Sequence, residues 1–289
     1  MTRRAAQPAV GIAIRDSDIS VAGQPCVTIR SGASDVSLER NHIHDCASGI
    51  VGPGHAGRSR RIAIRGNVLE RFAGDAIAFG GWRDVRIEGN TIRHMQDPAS
   101  LMHNDGIQLY GDSSRVRISA NRISHSAGQL LFVQDALGPI DDVLVENNLV
   151  FGSRAYAIQS QGATRARFVN NTIWRSAYGG LLLRAGSRRA GSPVVPTDTV
   201  VANNILSGYG AIEGARARVR EGNVVSSCPV GEAPGLVCLP DPGFVDAGAD
   251  DFRLRLDAPA RRRASAAYAP PKDLAGERRG GAPSPGALD

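Results

Sequence analysis

The stretch "HNDGIQLYG", at residues 103–111, carries the densest group of side chains that could do chemistry. His103 can exchange a proton near neutral pH, and Asp105 can act as an acid or a base. A similar stretch, "GDAIAFG" at residues 74–80, places Asp75 in register with Asp105 if both are copies of one unit. Carboxylates on neighbouring strands lie about 4.8 Å apart, so one must hold its proton or a cation must lie between them. The pattern predicts an acid/base site of Asp105, Asp75 and His103.

Polar and aromatic side chains around this site could bind a ligand. Gln108 and Tyr110 point outward if Ile107 and Leu109 point into a core. Amide groups and aromatic faces suit sugar rings. The predicted substrate-binding set is Gln108, Tyr110, Trp82, Arg83, Gln134, Gln159 and Gln161.

Structural interpretations of the same residues stay open. Asp75 and Asp105 could cap the turn that enters their strands, and His103 could pack in a loop without a chemical role. Glutamine is ordinary on any sheet that faces solvent, so the binding role also has a plain alternative.

An internal repeat defines the elements that must position these residues. A β-rich run, an asparagine, one further residue and an aliphatic residue recur eight times, which is typical of a solenoid with one repeat per coil. Aliphatic residues alternate on both sides of the asparagine, and a second strand follows, so we expect three short strands per coil. The equivalent asparagines are Asn41, Asn67, Asn90, Asn121, Asn148, Asn171, Asn204 and Asn223.

One strand position can be aligned across five coils. The aligned residues are Ile50, Ile77, Ile107, Leu130 and Ile158. We call the sheet that contains them the first sheet, and the next two along each coil the second and third sheets. In this alignment Ser48, Asp75 and Asp105 share a register. Extra residues at 93–104 lead into the polar stretch, and long loops around 51–60, 134–141 and 185–198 predict the walls of a groove over the first sheet.

Composition and charge narrow the choice of partners. The 289 residues include 42% apolar side chains, 5% aromatics and 34 glycines, which suits a repetitive β architecture with tight turns. The net charge of +6 comes from scattered arginines, with Lys272 the only lysine. The sequence contains no basic-aromatic motif for nucleic acid and no apolar run of about 18 residues, so we expect neither nucleic acid nor a membrane as partner.

Four cysteines form two local pairs, Cys26 with Cys46 and Cys228 with Cys238. An even number at short spacing predicts two disulfides and a secreted or cell-surface protein. The first residues, "MTRRAAQPAVGIAIRDSDISV", contain no apolar core of a signal peptide, so a cytosolic chain with free thiols is the alternative.

The repeat resembles the right-handed parallel β-helix of the pectin-lyase-like superfamily, over about residues 10–225. The resemblance implies an all-β solenoid of three sheets and about eight to nine coils at residues 1–225, with an irregular C-terminal extension at 226–289 packed on it. It implies that each asparagine lies in a tight turn between the second and third sheets, where αL geometry is tolerated and amides hydrogen-bond from coil to coil. The end "DPGFVDAGADDFRLRLDAPA" resembles the extension of many bacterial β-helix proteins.

The resemblance also carries a functional expectation, since related enzymes and sugar-binding proteins lay a polysaccharide along the first-sheet groove. "HNDGIQL" resembles the "NTDGID" strand of polygalacturonase-like hydrolases, which implies an acid/base role for Asp105, although the "DD" and "GHG" motifs of that family are absent. Lyases and epimerases of this fold remove a proton next to a uronate carboxylate while Ca²⁺ or another cation neutralises it. Here His103, Tyr110 and Arg83 are the candidate bases.

Two function classes follow. The first is a carbohydrate-active protein for an acidic, uronate-containing polysaccharide, of lyase, hydrolase or epimerase type, with Ca²⁺ as the one cofactor to consider. The second is a non-catalytic glycan-binding or surface protein that uses the same groove.

Overall fold

All regular structure in the described residues is β-strand, and nearly all of it belongs to three parallel sheets. The predicted parallel β-helix with three strands per coil is confirmed. No helix in the described residues is long and apolar enough to cross a membrane. The computed structural model describes residues 7–52, 58–95, 104–135, 137–186, 194–207, 212–214, 217–227 and 234–289.

Each coil adds one strand to each sheet, because short runs of alternating aliphatic and polar residues are separated by turns. The first sheet contains β3 (Pro25–Thr28), β6 (Ser48–Val51), β9 (Ile77–Phe79), β12 (Ile107–Leu109), β15 (Leu131–Gln134), β18 (Tyr156–Gln161), β22 (Gly179–Arg184) and β25 (Ile212–Gly214). The second sheet contains β1 (Ala13–Arg15), β4 (Ser34–Glu39), β7 (Arg60–Arg65), β10 (Arg83–Glu88), β13 (Ser113–Ser119), β16 (Ile140–Glu146), β19 (Ala163–Thr164), β20 (Arg167–Val169), β23 (Val200–Ala202) and β26 (Val219–Glu221). The third sheet contains β2 (Asp18–Ser20), β5 (His42–His44), β8 (Val68–Glu70), β11 (Thr91–Arg93), β14 (Arg122–Ser126), β17 (Leu149–Ser153), β21 (Thr172–Trp174), β24 (Ile205–Leu206), β27 (Asn223–Val225) and β28 (Leu236–Cys238).

The core is a stack of aliphatic side chains, one layer per coil. In the first sheet Ile50 pairs in register with Ile77, and Ile77 with Ile107, as the sequence alignment predicts. The alignment is wrong by one residue in the next coil, because Ile107 pairs with Leu131 and not with Leu130. Both leucines are buried, so apolar character alone does not distinguish them.

The repeated asparagines form a continuous ladder inside the turn between the second and third sheets. In each of the seven steps the Nδ2 atom of one asparagine donates to Oδ1 of the next, at 2.9 to 3.0 Å, and the main-chain N–H of the same residue donates to that oxygen as well. The predicted structural role is therefore confirmed.

The left-handed residue of this turn is the one before the asparagine rather than the asparagine itself. Arg40, Ala120 and Asn147 each have φ of 54° at this position, and Gly66 has φ of 60°. The bend is made by the preceding residue, so the asparagine side chain can align with the stack and reach the next coil.

Of the two predicted disulfides, Cys26–Cys46 is confirmed, with a Cα–Cα distance of 5.6 Å. It links the first-sheet strand β3 to the turn that follows β5. Cys228 lies outside the described residues, so its pairing with Cys238 stays a prediction.

The C-terminal residues lie against the outer face of the third sheet. The antiparallel hairpin of β29 (Phe244–Asp246) and β30 (Asp251–Leu254) packs its Phe244 and Phe252 with Phe151 of β17 in a second apolar cluster. The third sheet itself continues to β28, beyond the expected boundary at residue 225.

Candidate functional site

The outward face of the first sheet carries most of the residues singled out from the sequence. Ile107 and Leu109 lie in the core, and Gln108 between them alternates to the outside, where it is in register with Ala78 and Phe132. Gln108 is nevertheless only 9% exposed. Neighbouring atoms therefore cover most of the Gln108 side chain.

Asp75 and Asp105 lie in register at the turn that enters this sheet, and each connects its coil to the next. The main-chain N–H of Asp105 donates to Asp75 Oδ1 at 2.8 Å. The main-chain N–H of Gln129 donates in turn to Asp105 Oδ1 at 2.7 Å. Both residues therefore have the capping role that the structural interpretation proposed. Capping does not exclude chemistry, because a carboxylate has two oxygens and each accepts more than one hydrogen bond.

Glycine at position 128 makes room for the second of these contacts. A Cβ atom there would lie 2.6 Å from Asp105 Oδ1 and 2.7 Å from the Asn104 carbonyl oxygen, closer than any side chain tolerates. The carboxylate of Asp105 can therefore approach the main chain of the next coil. Asp105 itself is fully buried.

Tyr110 completes the polar group around the two aspartates. Its hydroxyl donates to Gln108 Oε1 at 2.5 Å. Burial, together with the negative charges of Asp75 and Asp105, raises the pKa of Tyr110 to about 12. The phenol therefore keeps its proton at neutral pH, which suits a proton donor and argues against the predicted alternative of Tyr110 as a base.

A chain of amides continues from this group along the sheet. Gln129 Nε2 donates to Gln159 Oε1 at 3.4 Å. With the Gln161 amide oriented to satisfy its neighbours, Gln161 Oε1 accepts from Gln159 Nε2 and from Arg184 Nε, the latter at 2.7 Å. Gln134 is in register with Gln161, and Gln161 with Arg184, so these three share one row of the sheet.

Two buried acceptors at the start of the amide chain have no hydrogen-bond partner in the part of the chain that the structure describes. They are Asn104 Oδ1 and Gln129 Oε1. Buried acceptors are normally satisfied, so both atoms are suited to a donor such as a ligand hydroxyl.

Sequence reasoning missed Gln129 and Arg184. The one-residue error at Leu130 placed Gly128 opposite Asp105, whereas the observed register places Gln129 there. Arg184 lies in the stretch "GGLLLRAG", and counting three residues on from the aliphatic position in register with Ile158 would have placed it in the row of Gln161.

Trp82 was wrongly assigned to the binding surface. It is fully buried, and its ring stacks on Phe79 with centroids 4.5 Å apart. Gly52 lies so close that a Cβ atom there would be 2.4 Å from the indole. The ring fills the corner between the first and second sheets and offers no face to a ligand.

Arg83 and His103 complete the predicted set. Arg83 is exposed, but it begins the second-sheet strand β10, across the turn at Gly81 from the first sheet. There it lines a separate, arginine-rich cleft of about 770 Å³ together with Arg60, its register partner. His103 lies outside the described residues, so its role stays a prediction.

In the described residues, carboxylates alone do not form a Ca²⁺ site around Asp75 and Asp105. This ion takes about six to eight oxygen ligands, with carboxylates prominent among them. No third acidic side chain in the described ranges joins the two aspartates in a metal-sized group.

Comparison with known proteins agrees with the architecture. The family model described as right handed beta helix region matches residues 6–173 and 80–231. The periplasmic alginate epimerase AlgG is similar in structure, with a TM-score of 0.56 and 15% identity, over 78% of this chain and 50% of the epimerase. The structure of XylC with xylose gives a TM-score of 0.54 and 16% identity, over 88% of this chain and 50% of XylC. The chain thus spans half the length of each, and at these identities the likeness shows the fold.

No curated protein matches the chain.

Proposed function

The chain belongs to the right handed beta helix family, and from that premise we propose that it is a carbohydrate-active protein that holds a uronate-containing polysaccharide along the outward face of the first sheet. The two similar structures named above support a carbohydrate ligand, since one is an alginate epimerase and the other is a complex with xylose. The same reasoning favours an exported protein, in keeping with the Cys26–Cys46 disulfide.

One arrangement carries the proposal: the Tyr110 hydroxyl, which donates to Gln108, lies near the carboxylates of Asp75 and Asp105. Tyr110 keeps its proton because its surroundings are buried and negatively charged by Asp75 and Asp105. A fixed donor and fixed carboxylates in one place are the groups that acid/base chemistry on a sugar needs.

The amide chain supports sugar binding next to this group. Gln108, Gln159 and Gln161 offer both donors and acceptors, which match the hydroxyl groups of a glycan. Arg184 is exposed at the end of the amide chain, next to Gln161, and can pair with a uronate carboxylate. A polysaccharide laid across neighbouring coils would meet hydroxyl-binding groups and a cation in sequence.

An enzymatic mechanism can be written with these residues. A lyase or epimerase removes the proton next to the uronate carboxylate with a base, and an acid protonates the leaving oxygen or the opposite face of the ring. In our proposal Tyr110 is the proton donor. Asp105, supported by Asp75, is the base, and His103 is the second candidate for that step.

Non-catalytic glycan binding is the second candidate function. It is favoured by one specific observation, the use of Asp75 Oδ1 and Asp105 Oδ1 as acceptors for main-chain N–H groups of the next coil. A pair that serves only as turn caps would leave the amide chain as a binding surface without chemistry.

The test is a panel of uronate polysaccharides with a neutral glucan as control. Binding is followed by calorimetry, lyase products by ultraviolet absorbance of the unsaturated uronate, hydrolysis by reducing ends, and epimerisation by NMR. We expect binding to at least one uronate polymer and not to the glucan. Absence of both binding and product across the panel would overturn the proposal.

Variants separate the two functions. Asp105→Asn keeps an acceptor for the Gln129 N–H group and removes the carboxylate, so an enzyme should lose turnover while a binder should keep its affinity. Ser48→Ala is the matched control, because Ser48 occupies the same register position in the coil before Asp75.

A further inference from the structure

The outer face of the third sheet carries a cluster of histidines and carboxylates at its N-terminal end. Neighbouring strands β2, β5 and β8 supply it. His42 and His44 are two residues apart on β5, so both rings lie on one face while Ile43 between them points into the core. Asp18 is the register partner of His42, and Glu70 is the register partner of His44.

Each histidine places one ring nitrogen within hydrogen-bond distance of the Asp18 carboxylate. His42 Nδ1 lies 3.1 Å from Asp18 Oδ2, and His44 Nε2 lies 2.9 Å from Asp18 Oδ1. The two rings stack with centroids 4.1 Å apart. One ligand atom from each of the three residues lies within 4.8 Å of the others.

The remaining ring nitrogens are held by two further carboxylates. His42 Nε2 lies 3.1 Å from Glu70 Oε1, and His44 Nδ1 lies 2.5 Å from Asp45 Oδ2. Glu70 is buried and is anchored by Arg93 at 2.7 Å. Histidines that bind a metal usually donate their other N–H to a carboxylate, which orients the ring and raises its basicity.

This arrangement leaves the two ring nitrogens that face Asp18, His42 Nδ1 and His44 Nε2, in an unusual position. If each neutral histidine donates its N–H to Glu70 or to Asp45, the opposite nitrogen presents a lone pair. Both lone pairs then face the negative carboxylate of Asp18. Acceptors that face each other at about 3 Å repel unless a cation or a proton lies between them.

We propose that Asp18, His42 and His44 bind a divalent transition-metal ion of the zinc class. Tetrahedral ligands with bonds of about 2.0 Å stand roughly 3.3 Å apart, close to the two observed separations. Two imidazoles and one carboxylate suit zinc, and three protein ligands leave a fourth position for water. The rings are tilted by 29° to each other, so they must rotate to converge on one ion, and the half-buried position of His42 and the exposed position of Asp18 allow that.

The ion would tie the first coil to the second. Asp18 belongs to the first coil, whereas the two histidines belong to the next one. Two apolar residues of the first coil, Ile12 and Val21, are 44% and 40% exposed. A metal bridge on the third sheet would complement the Cys26–Cys46 bridge to the same coil.

Metal binding is tested directly on the purified full chain after removal of metal with a chelator. Zinc added in calorimetry should bind with one ion per chain at this site, and it should raise the midpoint of thermal unfolding. The variants Asp18→Asn and His42→Gln should lose this binding while their circular dichroism spectra without metal stay those of the parent.

A matched control is available on the same sheet. His94 and His125 also stack, with centroids 5.9 Å apart, but neither has a carboxylate within ion-pair distance in the described residues. His94→Gln should keep zinc binding and the thermal shift. The carboxylates that contact the other two ring nitrogens give a graded test. Asp45→Asn should weaken zinc binding about 10- to 100-fold without removing a ligand.

Three results would overturn the proposal. They are the absence of zinc binding by the parent, an equal loss in the His94→Gln control, and unchanged affinity in Asp18→Asn. Any of them would leave the cluster as a set of histidine–carboxylate hydrogen bonds without a metal. None of these readouts depends on activity toward a polysaccharide, so the proposal stands or fails separately from the proposed function.

Discussion

Two stacks of polar side chains run from coil to coil in this solenoid, and they connect neighbouring coils through different hydrogen-bond donors and acceptors. The asparagine ladder repeats one residue type in eight coils, and each amide both donates to and accepts from its neighbours. The Asp75–Asp105 stack spans only two coils, and its carboxylates accept from main-chain N–H groups. A carboxylate has no donor of its own when ionised, so it cannot form a ladder with copies of itself.

This difference helps to separate structural from functional polarity in a repeat protein. A polar residue that recurs at one position in every coil is accounted for by stacking. A polar residue at a position where other coils carry something else needs another reason, and Asp105 with Gln108 and Tyr110 is such a case. The four predictions below test that distinction.

The largest effect is expected from Asn121→Ala, in the middle of the ladder. The substitution removes donations to Ile87 and Asn148 and leaves two N–H donors of Asn90 without their acceptor. Each buried group left unpaired costs about 1–3 kcal/mol, so we expect a loss of at least roughly 3 kcal/mol in the free energy of unfolding. Chemical denaturation measures it, and a loss below about 1 kcal/mol would contradict the structural role.

Asp105 should separate capping from chemistry. Asp105→Ala leaves the Gln129 N–H group unpaired and should cost about 1–3 kcal/mol of stability, whereas Asp105→Asn should cost less because the amide oxygen still accepts. Both variants should lose turnover if the carboxylate is catalytic. Equal stability losses in the two variants would mean that charge, and not capping, holds this turn.

Tyr110 should titrate above the usual range. Its pKa in the folded protein is raised to about 12, so the proton is bound more tightly than in the unfolded chain. The stabilisation is complete below the ordinary tyrosine pKa of about 10 and is lost as pH rises toward 12. Difference titration of phenolate absorbance between the parent and Tyr110→Phe checks this, and a Tyr110 titration at about 10 would argue against the buried, negatively charged setting.

Gln159→Leu should give the smallest change in stability. It breaks the amide chain between Gln129 and Gln161, and we expect a loss of about 1 kcal/mol because the Gln129 contact is weak at 3.4 Å and Gln161 still accepts from Arg184. Affinity for a bound uronate polymer should fall more than stability does. Calorimetry with the ligand and denaturation of the free protein measure the two effects, and unchanged affinity would remove the amide chain from the binding surface.

Periodicity made much of this protein predictable from its sequence. The repeated asparagines identify the ladder, the coils and the three sheets, because a stack of equivalent turns imposes the same residue type at each turn. The same periodicity brings Asp75 beside Asp105, since residues at one phase of successive coils are neighbours.

Other features depended on the tertiary structure. Leu130 and Leu131 are both apolar, and only strand pairing showed which one is in register with Ile107. That register also decides that the main-chain N–H of Gln129 donates to Asp105. Trp82 follows a turn whose direction decides whether the ring lies inside or outside, and the space left by Gly52 places it inside.

The electrostatic surroundings of individual polar groups also depended on the tertiary structure. The pKa of Tyr110 comes from burial and from carboxylates contributed by two coils. The cluster of Asp18, His42 and His44 arises because two residues of one strand and one of its neighbour project to the same face. Sequence phase determines which residues become neighbours along the stack, whereas the distance, direction and solvent exposure of their polar atoms depend on how turns and side chains pack in three dimensions.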